Sequence, residues 1–352
     1  MDQAQISFDL VGHPLGEDIY SEQGILLLKK GTILKETHIL LLQKYRFGSK
    51  VAIESTSKPL YYWNESPSKD PYKAFPVLLK EAFHKMINAE EIDFDDFRKC
   101  YHSLIDLTLC DLSILKVLQF KVETGEKFYQ HSINVGIFSS LIGNILGYDR
   151  KECLLIAEMG LFHNIGMLCL TDGQNDITDI VKKETLEYTQ KHTELGYKIL
   201  KTLPYIDPAI PLAALHHHER LNGSGFPSQR KSGGIPLYAQ IVSVSDAFSR
   251  ILMNCQTNGK DALMIGANEI MEAAHNNLLN PGIVVPFVQY IMRQSLHEKV
   301  KLSNGEEAEI IFIHDNEPLQ PLVKTKDGYI DLRKDLSLRI EGLIEDNAHA
   351  VQ

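Results

Sequence analysis

Between Tyr72 and about His297 the apolar residues recur three and four positions apart, and beyond Lys299 they recur at every second position. The first spacing lines one face of an α-helix and the second one face of a β-strand, so the chain must build a helical body followed by a β segment. Phe138, Leu141, Ile142 and Ile145 carry the helical pattern. In the β segment Val300 and Leu302 precede Asn304-Gly305, Ala308, Ile310 and Phe312 follow, and Asp327-Gly328 separates two more strand-like runs. Asn-Gly and Asp-Gly suit the positive φ angles of tight hairpin turns, so two C-terminal hairpins are predicted. At the other end, turn signals alternate with short apolar runs, as in Gly24 to Gly31 and Val51 to Ile53, around a periodic stretch Ile33 to Leu42. That segment reads as a small α+β module. Residues 55–71 are aperiodic and carry Ser, Pro, Lys and aromatic residues, which marks a linker. The expected organisation is therefore a mainly α chain: module 1–54, linker 55–71, helical domain 72–298 and β-hairpin extension 299–352. A length of 352 residues suits several such parts better than one core.

Bulk properties narrow the class. A formal charge of −10 opposes nonspecific binding to DNA, RNA or acidic membranes, because phosphate backbones are held by clustered Lys and Arg. A small phosphorylated ligand in a local pocket is compatible with that charge. No apolar run approaches the roughly 18 residues of a membrane span, and the opening MDQAQISFDL has neither the basic start nor the apolar stretch of a secretory signal. A cytoplasmic location is expected. Cys100, Cys110, Cys153, Cys169 and Cys255 are odd in number and include no Cys-x-x-Cys pair, so they are read as reduced core residues rather than disulfides or zinc thiolates.

Six of the fourteen histidines, His131, His163, His192, His216, His217 and His218, fall within the helical region. Imidazole is the commonest nitrogen ligand for divalent metals, and adjacent histidines where a helix gives way to Gly223-Ser-Gly225 can turn into one cavity. The residues alone leave a second account open. His216-His-His218 also suits an exposed polar helix end, since cationic imidazoles complement the negative pole of the helix dipole.

Five segments favour the metal. They are Tyr129-Gln-His131-Ser-Ile-Asn-Val135, Leu161-Phe-His163-Asn-Ile-Gly166, His192-Thr-Glu-Leu-Gly196, His217-His-Glu-Arg-Leu-Asn-Gly-Ser-Gly-Phe-Pro227 and Ile241-Val-Ser-Val-Ser-Asp246-Ala-Phe. In order and spacing they resemble the HD-GYP family, a branch of the HD-domain metallophosphohydrolases that cleaves cyclic di-GMP. The resemblance covers roughly the whole helical half and implies a helical HD-domain bundle. It also implies ligand roles: His131, His163 and Asp246 for one metal, and His192, His217 and His218 for a second. In active relatives the Asp of the His-Asp pair bridges the two ions.

Here that position is Asn164, and a neutral amide cannot offset the repulsion of two dications about 3.5–4 Å apart. At most about one divalent transition metal (iron, manganese, zinc or nickel) is expected per chain, or none. Other departures point the same way. Met167 stands where the family places a Lys, Phe226 replaces the Tyr of Gly-Tyr-Pro, Asn222 replaces an Asp, and Cys255 and Asn258 align with a phosphate-contacting Arg and Lys. Gly225 and Pro227 keep the family's substrate loop. Glu219 beside Arg220 reads as a solvated ion pair, and His216 as an exposed bystander. Three accounts therefore stand: a regulatory or binding protein on a catalytically impaired scaffold, taking a cyclic dinucleotide or a protein partner; a working metal-dependent phosphodiesterase; and a ligand-free helical interaction domain.

Overall fold

The computed structural model of the chain describes residues 71–111, 127–170, 186–255 and 260–344, together with residues 2–5, 15–20, 26–30, 50–53 and a few single positions between 32 and 42. The chain divides into two compact units, residues 1–68 and 69–352. In the first, β1 (Asp2–Gln5) pairs antiparallel with β4 (Lys50–Ile53), and β2 (Ile19–Tyr20) with β3 (Leu26–Leu28). Leu15, Ile19, Leu28, Leu34, Leu42, Val51 and Ala52 are its buried apolar residues among those described. Most of the periodic stretch Ile33 to Leu42, and the linker up to residue 70, lie outside the described residues.

The second unit is mainly helical. Its elements are α1 (Pro71–Ile87), α2 (Phe94–Asp111), α3 (Lys127–Ile145), α4 (Arg150–Phe162), a 3₁₀ turn (Ile165–Leu170), α5 (Leu186–Thr202), α6 (Ala209–His216), α7 (Leu237–Asn254), α8 (Lys260–His275) and α9 (Pro281–Arg293). Local chemistry fixes several ends. Asp149 accepts from the Glu152 backbone N–H at 2.8 Å while Glu152 accepts from the Asp149 N–H at 3.1 Å, a reciprocal capping box that starts α4. Asn280 caps α9, with Pro281 in the first turn where no N–H is required. α3 is the central helix: Phe128 through Gly143 are buried on every side, so it shows no amphipathic stripe.

The stretch Arg150–Leu170 corrects the reading that no segment reaches the length and apolarity of a membrane span. Its composition does, yet 78% of its richest window is buried within the protein. It also carries Glu158, which is buried and ion-paired. Arg98 of α2 donates to Glu158 through Nε at 2.6 Å and Nη2 at 2.8 Å, and His102 Nε2 lies 2.7 Å from Oε1. A core helix that buries a charge must supply its partner from a neighbour, and α2 does so.

At the C-terminus β5 (Lys299–Leu302), β6 (Glu307–Phe312), β7 (Leu322–Lys324), β8 (Tyr329–Asp331) and β9 (Ile340–Leu343) form one antiparallel sheet in the order β8-β7-β6-β5-β9. The two predicted hairpins are present as β5-β6 and β7-β8, turning at Gly305 and Gly328, both with positive φ. They are not separate: β6 pairs with β7, and β9 adds to β5. Packing gives the reason. Val300, Leu302, Ala308, Ile310, Val323, Leu332 and Ile340 join the helical core cluster, and one continuous sheet face covers it.

The cysteine reading is corrected in part. Cys153 is buried, Cys100 and Cys255 are half-buried, and Cys169 is exposed. The side chain of Cys110 lies outside the described residues.

Candidate metal centre

Five elements deliver the six donors. His131 comes from the second turn of α3, His163 caps the C-terminus of α4, His192 lies on α5, His217 caps α6 with His218 after it, and Asp246 is on α7. All six are buried, His163, His217 and Asp246 completely. The exposed-helix-end account of His216-His217-His218 is thereby overturned. α6 is almost wholly apolar, so it sinks into the core and carries its terminal histidines with it. His216 itself is buried, with Nδ1 3.8 Å from Glu219 Oε1, and is not the exposed bystander expected from sequence.

The donors form two groups whose ligand atoms lie within 4.8 Å of one another: His131, His163 and Asp246, and His192, His217 and His218. They are contiguous, since the His163 and His217 rings meet edge to face at 4.9 Å. Within the first, His131 Nε2 lies 3.1 Å from Asp246 Oδ1, and His163 Nε2 3.6 Å from the same oxygen. Within the second, His217 Nε2 lies 3.4 Å from His192 Nε2.

Tautomers decide whether a metal suits these groups. His163 Nδ1 donates to the Gly160 carbonyl at 2.7 Å and His217 Nδ1 to the Ala214 carbonyl at 2.8 Å. With Nδ1 so engaged, the neutral form of each ring presents a lone pair at Nε2 to the centre. His163 Nε2 is buried without a hydrogen-bond partner, as is Asn164 Oδ1. Unsatisfied buried acceptors are costly, and a divalent cation among them removes the cost. The donor set fits a transition metal: two nitrogens and a carboxylate in one group, three nitrogens in the other.

Electrostatics agree with this. Burial pushes the His217 and His218 pKa values well below the ordinary 6.5, and neighbouring imidazoles push the same way. Burial alone would raise Asp246, but Arg250 beside it and the nearby His131 and His163 hold it well below the ordinary carboxylate range. Neutral imidazoles and an ionised carboxylate are the forms that bind metal. A pH dependence follows. In chelator-treated protein the two histidines stay neutral while folded but protonate when unfolded, so stability is full above pH 6.5 and declines below it. The urea midpoint should therefore fall between pH 7.5 and 5.5; a flat or rising profile would contradict buried neutral rings.

The loop after His218 is held by three devices. Glu219 is buried and accepts from the backbone N–H groups of Ser228 at 2.8 Å and Arg230 at 2.9 Å. It is a loop clamp, not the solvated partner of Arg220, whose guanidinium donates to the carbonyls of His217 and Glu219 and to Ser243 Oγ. A β-carbon on Gly225 would stand 2.4 Å from the His218 carbonyl oxygen, so glycine alone lets the loop press against this segment. Phe226 then lays its ring 4.6 Å from that of His218, and the half-buried Pro227 follows. Gly166 plays a similar part: a β-carbon there would lie 2.1 Å from the His192 carbonyl oxygen, so the 3₁₀ turn after His163 seats directly on α5.

The substituted positions fall unevenly. Asn222 is exposed, accepts from the Ser224 N–H at 2.9 Å and serves a turn. Met167 is packed in the hydrophobic core. Cys255 closes α7, and Asn258 lies outside the described residues. The cation at the site is one that the sequence reading did not name. Arg250 Nη2 donates to Asp246 Oδ2 and lies 3.4 Å from His218 Nδ1. Its i,i+4 spacing from Asp246 on a helical stretch was the available signal.

The HD domain family matches the chain over residues 123–283. Among curated proteins the chain is 25% identical over 195 residues to the cyclic di-GMP phosphodiesterase PdeB of Borreliella burgdorferi, covering 55% of this chain and 50% of that protein. It is 28% identical over 180 residues to a cyclic di-GMP phosphodiesterase of Thermotoga maritima, covering 50% and 48%. The chain thus spans about half the length of these curated relatives. Among solved structures it is similar to Bd1817, an HDG"Y"P protein from Bdellovibrio bacteriovorus, with a TM-score of 0.50 over 82% of this chain and 98% of that one. At 16% identity this is a likeness of fold.

Proposed function

We propose, from the match of residues 123–283 to the HD domain family and the likeness to cyclic di-GMP phosphodiesterases, that the chain binds a cyclic dinucleotide at a single-metal site and hydrolyses it poorly, acting as a regulatory binding protein. The observation that carries the reading is the carboxylate count. Among the described residues Asp246 is the one acid in either donor group, and the residue after His163 is Asn164. Without a shared anion, two dications close together repel strongly, so one is held in preference to two. His131, His163, His192, His217, His218 and Asp246 would hold it, and a divalent metal there would supply Lewis acidity toward a phosphate oxygen. The domain's own residues then position the ligand: Gly225, Phe226 and Pro227 border His218 and offer an apolar ring face to a base.

Missing stabilisers set the expected rate. Removing one preorganised electrostatic group commonly costs on the order of 10²–10³ in turnover, and this site lacks both a bridging acid and the hydroxyl of the family's Tyr. The competing reading, a working phosphodiesterase, draws on the presence of all six donors in one place. Calorimetry with cyclic di-GMP and chromatography of the products on metal-loaded protein separate the two. The proposal expects saturable, metal-dependent binding with little product. Rapid turnover that disappears in His217→Ala would establish the phosphodiesterase instead.

A further inference from the structure

We propose that Arg250 is a tethered cation that occupies the Asp246 end of the centre in place of a metal, and that metal entry requires its guanidinium to swing out. The inference rests on the metal reading above and adds a residue to it. Arg250 follows Asp246 by four positions on α7, so both side chains leave the same face of the helix. Its Nη2 donates to Asp246 Oδ2 and also approaches His218 Nδ1 at 3.4 Å, so one guanidinium touches a member of each donor group. The Asp246 side chain is fully buried, whereas 49% of that of Arg250 is exposed. The anion is therefore fixed and the cation has an open path to water.

Charge makes the two occupants exclusive. The centre holds one carboxylate, and with Arg250 docked its negative charge is already balanced. A divalent ion arriving beside the fully buried Asp246 meets a like charge at contact distance. The guanidinium N–H groups also compete for the lone pairs a metal needs, since Arg has five donors and no acceptor. Once displaced, Arg250 lies at the rim of the centre as a planar cation suited to a phosphate. The same residue thus links metal loading to anion recognition, at a site where Met167 supplies no charge.

The test is a cobalt(II) titration of the chelator-treated full chain, followed by visible absorption and calorimetry, for the natural protein and Arg250→Gln. The glutamine variant should bind cobalt on the order of tenfold or more tightly, the effect of removing a like charge at contact. Equal or weaker binding by Arg250→Gln overturns the proposal while leaving the metal reading intact. Failure of both proteins to bind cobalt overturns both. A second measurement needs no substitution. In the natural protein, saturating cobalt should increase modification of Arg250 by a dicarbonyl reagent, read by peptide mass spectrometry. Labelling that stays constant or falls overturns the swing-out step.

Discussion

His217→Ala is expected to weaken metal binding by more than ~10²-fold, since even partners that only orient a ligand cost 10- to 100-fold when removed. The size of the effect follows from where the ring sits. His217 is fully buried, its Nε2 lies 3.4 Å from His192 Nε2, and its ring meets those of His163 and His218 at 4.9 and 4.1 Å. Among the described residues no other imidazole touches both donor groups so closely. Its Nδ1 bond to the Ala214 carbonyl also pre-orients the lone pair, so the loss removes a ligand already aimed at the centre. Calorimetry against a metal-buffered titrant reads the change directly. A loss under tenfold, with the fold intact by circular dichroism, would place the metal elsewhere.

The largest loss of stability is expected away from the centre, at Glu158→Ala. Glu158 is buried on α4 and answers two hydrogen bonds from Arg98 and a contact from His102, both on α2. Removing one member of a buried ion pair costs about 3–5 kcal/mol, mostly because the surviving charge is left uncompensated. The Arg98 side chain keeps 30% of its surface exposed and can turn toward water, which holds the expected cost near about 3 kcal/mol. Because α4 also ends in His163, the same variant should weaken metal binding as a secondary effect. Urea unfolding measures the first effect. A cost below about 1 kcal/mol would mean that the pair is no stronger than a surface salt bridge.

Much of this was legible because local spacing and tertiary placement agree. The change of apolar period at Lys299 coincides with the start of β5, and Asn304-Gly305 and Asp327-Gly328 sit at the two hairpin turns. The histidine groups were legible through resemblance, which partitioned the donors as the folded chain groups them. What stayed hidden depended on long-range placement. The role of Glu219 comes from a loop that returns nine and eleven residues later to donate its N–H groups, and nothing local signals that return. Strand β9 was missed because Ile340 and Leu343 carry too short an alternation to stand out without β5 beside them. Arg250 is hidden from such a reading because the family's cations align with Cys255 and Asn258. A helix instead places the fourth residue after Asp246 against it. Met167 shows the limit of reading a substitution as pure loss: the thioether fills core space, so Met167→Lys would have to bury or bend a charged chain to reach the site.

The number of metals the centre holds separates a binding protein from a two-metal phosphodiesterase, and elemental analysis of protein purified without a metal-binding tag, after dialysis, measures that number. With Asn164 following His163 and Asp246 the single acid in either group, the expected result is no more than about one transition metal per chain. Two equivalents retained through dialysis, both lost on His163→Ala, would contradict it. They would show that an amide at position 164 does not limit the centre and that the groundwork for full phosphodiesterase chemistry is intact.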